Sequence, residues 1–167
     1  RRAALHLLDQ VCTKGRLLSE LLPRAVAGLD PEDRARAQRL ALTTLRWMDR
    51  ADRMLGPHLK KRSDPHVLNI LRLGVVEMTV DGAAAHGVVD ACVTLTREGT
   101  RSLGLSGLVN AVLRKVAGDL DRWRTLPTPQ LPKWLRGPLK DAWGKAGIVA
   151  IEAAHAAFLD WRTKSHD

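Results

Sequence analysis

Between Pro65 and Val80 the sequence places Val67, Leu68, Ile70, Leu71, Leu73, Val75, Val76, Met78 and Val80 at spacings that leave hardly any polar face on a helix. A helix that is apolar on nearly all sides needs neighbours all round it, so this segment predicts the central rod of a bundle. Asp64-Pro65 marks its start, with a capping carboxylate ahead of a proline at the first helical position. Gly74 within it costs about 1 kcal/mol relative to alanine, which predicts close approach of a crossing helix. Glu77 is its one acid, expected in a salt bridge or at an exposed edge.

The flanking segments read as the wrapping. Arg1–Lys14 carries Leu5, Leu8, Val11 and Cys12 on one face and stops at Gly15. Ser19 offers an N-cap for a short second helix ending near Gly28. Asp30-Pro31-Glu32-Asp33 opens a long third helix, expected to bend or break after Trp47 and to close at Gly56-Pro57. A helix from about Ala84 to Glu98, a loop over 99–104 and a helix from Ser106 follow. In that last helix Leu105, Leu108, Val109, Val112, Leu113 and Val116 keep the apolar period without a gap. Strand signals are nearly absent, so the fold class is all-α. Three prolines between Leu126 and Pro132 predict an extended linker. The expected organisation is a helical domain over 1–125, a linker over 126–132 and a further helical segment over 133–167.

The 167 residues include 27 Lys or Arg against 18 Asp or Glu, a formal charge of +9. Just over half of the basic residues lie in 1–63, where 14 face 7 acids. Such a field favours a polyanionic partner. With no Tyr and one Phe, charge must do most of the work of any nucleic-acid surface, unless the five Trp serve as stacking platforms. On a continuous helix Arg36, Arg39, Arg46, Arg50 and Arg53 share an arc of roughly 100°. That stripe reads either as a solvated face pairing with Asp49 or Asp52, or as a phosphate-binding surface. Arg1 and Arg2 oppose the dipole of the helix they begin, a placement with no stabilising purpose visible in the sequence and one that a phosphate ligand would explain. Arg101, in the loop before Ser106, is a second candidate phosphate contact.

Catalytic patterns are missing. There is no paired-carboxylate site, glycine-rich phosphate loop or His/Cys metal cluster, and neither a metal nor a cofactor is expected in this chain. His58 and His66 read as solvent-facing or capping residues. Ser102 and Ser106 have no histidine nearby in sequence, and Cys12 and Cys92 read as core residues. No run reaches the roughly 20 apolar residues of a membrane span, and no secretory signal opens the chain. A start at Arg1 and a stop at Asp167 suggest a piece of a longer, cytoplasmic protein.

Three runs carry a family resemblance: Leu71-Arg-Leu-Gly-Val-Val-Glu-Met78, Ala85-His-Gly-Val-Val-Asp-Ala-Cys-Val93 and Gly107-Leu-Val-Asn-Ala-Val-Leu-Arg-Lys115. In order and spacing they resemble the NusB-like domain that begins bacterial RsmB (Sun/Fmu) rRNA cytosine-C5 methyltransferases. Asp33-Arg-Ala35 through Thr44-Leu-Arg-Trp47 resembles the same family's third helix, and the likeness continues thinly into Pro132-Lys-Trp-Leu135 and Leu159-Asp160 to Lys164. Ala111 and Arg114 favour the methyltransferase branch over the free-standing antitermination factor, whereas Asp90 stands where the family often has Asn.

The resemblance implies an all-helical RNA-binding fold of two small perpendicular bundles with a C-terminal helical extension. It further implies a linked S-adenosylmethionine-dependent catalytic domain, outside this chain, in which a cysteine thiolate attacks C6 of cytosine before methylation at C5. RNA, most naturally rRNA, and that intramolecular methyltransferase domain are the implied partners. The RNA-facing residues carried over are Arg1, Arg2 and Arg101, with Lys14 and Arg114 as weaker additions. Two other readings stay open: a NusB-type transcription antitermination factor that binds RNA with a ribosomal protein, and a structural cap whose arginine stripe packs on an acidic partner.

Overall fold

A computed structural model describes residues 1–60 and 63–164, with side chains as far as Ala157. The end of the expected C-terminal segment, 165–167, lies outside the described residues. Helices follow one another as α1 (Arg2–Lys14), α2 (Leu18–Ala25), α3 (Pro31–Arg46), α4 (Met48–Leu55), α5 (Pro65–Thr79), α6 (Ala85–Glu98), α7 (Ser106–Ala117), α8 (Arg122–Thr125) and α9 (Lys133–Lys164). No strand occurs among the described residues. Two compact units result, Arg1–Arg124 and Thr125–Asp167.

In the first unit α5 is the central rod. It packs against α1, α3, α4, α6 and α7, and ten of its fifteen residues are buried. Its start is capped as its sequence dictates, with Asp64 accepting a hydrogen bond from the His66 backbone N–H at 2.9 Å. Gly74 lies where α6 and α7 close on it. A Cβ there would stand 2.9 Å from Leu113 Cδ1 and 3.1 Å from Cys92 Sγ. The other Asp-Pro start behaves alike: Asp30 accepts from the Asp33 N–H at 2.9 Å and opens α3. α1 ends on Gly15, whose φ of 63° forms a left-handed cap that a side chain would strain.

Four expectations change. Ser19 does not cap α2, because that helix begins one residue earlier, at Leu18, and has no side-chain cap. Cys12 is exposed, since the buried face of α1 is formed by Ala4, Leu5, Leu7 and Leu8 and has turned away by the last turn. Leu108 lies at the margin of the α7 core stripe and is exposed. The arginine stripe is not one surface. The chain breaks at Trp47, which sits between α3 and α4 at φ −98° and ψ 10°, so Arg50 and Arg53 are re-aimed relative to Arg36 and Arg39. Arg53 pairs with Asp49 at 2.9 Å, and the Arg50 guanidinium lies 5.3 Å and 5.5 Å from the ring centroids of Trp47 and Trp123. Those two tryptophans are buried, 5.7 Å apart, and hold α8 to the bundle.

In the second unit, residues 127–132 are irregular and α9 is two helical segments meeting at Gly144, whose φ of 70° and ψ of 176° no helix contains. Arg136 and Glu152, each eight residues from that corner, pair across it at 2.8 Å. The buried Glu152 carboxylate also accepts from the Leu131 N–H at 3.0 Å. Trp134 and Trp143 are exposed.

Candidate nucleic-acid interface

The two opening arginines have carboxylate partners brought from far along the chain. Arg1 Nε donates to both oxygens of Glu77, at 2.9 and 2.8 Å, and Glu77 keeps only 4% of its side-chain surface exposed. The hydrogen bond to Glu77 is the main reason the Arg1 guanidinium pKa is raised above its ordinary value. Arg36 stands 4.0 Å from the same carboxylate. Arg2 makes a two-pronged contact with Glu98 at the end of α6, with Nε to Oε2 at 2.7 Å. The cations at the α1 N-terminus thus join α1 to α5 and α6, and the Arg1 contact satisfies a buried carboxylate.

Lys14 lies twelve residues on, about 18 Å along the helix from Arg2, so the structure separates it from the arginine pair. Arg101 follows Glu98 by three residues, in the turn leading to a short 3₁₀ segment (Leu103–Leu105) and α7. It is exposed, with no ion pair among the described residues. Arg114 is exposed and donates to Asn110 Oδ1 at 3.0 Å. A groove between α6 and α7 is lined by Asp90, Thr94, Arg97, Ser106, Gly107 and Asn110. Arg97, exposed on its α6 wall, is a cation that the sequence reading missed. Its register with Asp90 and Thr94, at spacings of seven and three on α6, was the available signal. The groove is mixed in charge, because Asp90 stands on the same wall.

A second polar cluster is structural. His66 Nδ1 and Asp9 Oδ2 are 2.6 Å apart, Asn69 Nδ2 donates to Asp9 Oδ1 at 2.8 Å, and Arg72 joins Asn69 to Asp52. This chain ties α1, α4 and α5 together. His66 is therefore a bridging residue and not the solvent-facing or capping side chain expected. A Cβ on Gly99 would collide with Ser102 Oγ and come 3.4 Å from His66 Nε2, so the fold brings an Asp, a His and a Ser into one neighbourhood. Ser102 is buried and donates its hydroxyl to the Thr96 carbonyl at 2.7 Å, which closes the end of α6 and leaves no available nucleophile. Among the described residues no group of three or more His, Cys, Asp or Glu side chains could hold a metal ion.

Residues 1–118 match the model of the NusB family. The chain belongs to the NusB family. Along 99% of its length it is 28% identical to ribosomal RNA small subunit methyltransferase B of Vibrio vulnificus, covering 41% of that protein. The same identity holds over 95% of the chain for the Pseudomonas putida protein of that name, of which 39% is covered. It holds again over 94% of the chain for a putative methyltransferase of Mycobacterium tuberculosis, of which 38% is covered. The chain spans about two fifths of the length of these curated relatives. The NusB-family match ends just before α8, whereas the similarity to the methyltransferases runs on through α9. No helix among the described residues is long and apolar enough to cross a membrane.

Proposed function

We propose that this chain is the RNA-binding domain of an S-adenosylmethionine-dependent rRNA cytosine-C5 methyltransferase, and that it docks RNA in the cytoplasm for a catalytic domain carried elsewhere in the protein. The observation that carries this reading is the similarity, over 94–99% of the chain, to proteins named as methyltransferases, most of them of small-subunit rRNA. A free-standing factor would not require that likeness to extend past the NusB match into α9. The chemistry of the surface supports the RNA half. Arg97, Arg101 and Arg114 are exposed on α6, the following turn and α7, and their guanidinium groups suit phosphate, with Arg114 steadied by Asn110. Neither a cofactor nor a catalytic residue is assigned to this chain, whose part is positioning.

Photo-crosslinking tests this. The 167-residue chain is mixed with a small-subunit rRNA fragment carrying 4-thiouridine, irradiated and digested, and the adducts are mapped. Adducts concentrated in residues 94–114 are expected. Adducts spread evenly over the surface, or none at low salt, would contradict it.

A further inference from the structure

Arg1 and Arg2 differ in how firmly their partners hold them. Arg1 is bound to a buried carboxylate and does not reach a ligand without stranding it. The Arg2 side chain is 78% exposed, and the Glu98 side chain that grips it is 36% exposed. Water reaches both, so their contact is of the kind that exchanges readily with another anion. The pair stands on a groove of about 420 Å³ between α1, α3 and α6. Arg36 lines the α3 wall, its side chain 52% exposed and 4.0 Å from the Glu77 carboxylate. Asp33 lies on the same wall and adds an acid at the rim. A phosphodiester presents to a guanidinium the same pair of oxygens as a carboxylate does.

We infer that Glu98 is a built-in competitor for RNA phosphate at Arg2. In the free protein its carboxylate occupies the Arg2 fork. A backbone phosphate gains the Arg2 contact, with Arg36 as the second cation across the groove, only where Glu98 turns to solvent, so in the parent the carboxylate largely withholds it. Glu98 thereby sets an affinity threshold, because a polyanion must outcompete a tethered carboxylate before it gains this contact. The inference rests on the RNA reading above and assigns a regulatory residue within it.

The test titrates a labelled single-stranded oligoribonucleotide with the full chain, comparing Glu98→Gln, Arg2→Gln and the double variant with the parent. Glu98→Gln is expected to tighten binding about three- to tenfold at low salt and to steepen the log–log salt slope by about 0.7, as one added phosphate contact requires. Arg2→Gln alone should change little, and adding it to Glu98→Gln should erase the gain. Glu98→Ala should reproduce the tightening, which separates it from any property of glutamine. Inorganic phosphate, at matched ionic strength, should displace the RNA no better than chloride. If it displaces RNA selectively, the groove takes the free ion and the inference fails. If the parent binds RNA and Glu98→Gln binds equally or more weakly with an unchanged melting temperature, Glu98 has no such role and the RNA reading stands. If neither parent nor variant binds RNA, the RNA reading falls, and this inference with it.

Discussion

Truncating Arg1 removes the two hydrogen bonds that satisfy Glu77 and leaves a buried carboxylate with only Arg36, at 4.0 Å, to compensate it. Arg1→Ala is therefore expected to destabilise the fold by about 2 kcal/mol, below the roughly 3–5 kcal/mol of a fully buried broken pair because Arg1 is part-exposed and Arg36 remains. Arg2→Ala should leave the thermal midpoint almost unchanged, and urea unfolding of the two variants checks the contrast. The Arg2–Glu98 pair has its own pH signature. The hydrogen bond from Arg2 holds the Glu98 carboxyl below the usual carboxylate range. Its contribution is thus complete above the ordinary value of 4.5 and is lost as pH falls through the lower folded value. Because water reaches both groups, any difference between the melting curves of the parent and Glu98→Gln should be slight, confined to pH above that value, and absent in acid. The thiols separate by access: desolvation raises both, Cys92 up to about 12, but only the Cys12 side chain is exposed to a reagent. Native protein at pH 8 should titrate one thiol with an aromatic disulfide reagent, and two after unfolding.

The helices show why so much of the fold was legible. Both Asp-Pro starts form the caps their residues specify, and the apolar segment from Val67 becomes the rod that five other helices surround. Gly74 carries this furthest, since its missing side chain is the space that Leu113 and Cys92 occupy. Gly74→Ala should gain about 1 kcal/mol in helix propensity but lose more to overpacking against a fully buried leucine. A net destabilisation of about 1 kcal/mol or more, read by chemical denaturation, is the expected result. What was not legible depended on rotation, and on where side chains point beyond the break that the sequence did predict after Trp47. Cys12 and Leu108 lie at the edges of their helical stripes, where a small turn of the helix changes exposure. The arginine stripe presumed a straight helix through Trp47, but burial of that indole against Trp123 and Arg50 ends α3 there.

The chain as a whole carries +9, yet the arginines at the α1 end are matched by carboxylates whose pairing no local pattern reveals. Glu77 is 76 residues from Arg1 and Glu98 is 96 from Arg2, separations that only the tertiary fold closes. Of the expected RNA contacts, Arg101 and Arg114 remain open to solvent, Arg2 is exposed but occupied, Arg1 is committed to the interior, and Lys14 lies at the other end of α1. Family membership was legible in three runs that pack on one another as α5, α6 and α7, with Leu113 and Cys92 closing on Gly74. The most direct test of RNA docking is the salt dependence of binding between the 167-residue chain and a single-stranded rRNA fragment. Affinity should fall linearly on a log–log plot with a slope near −2, about 0.7 for each of three phosphate contacts, and Arg97→Gln and Arg101→Gln should each flatten it by about 0.7. Binding that ignores salt, or a slope that neither substitution alters, would contradict the account.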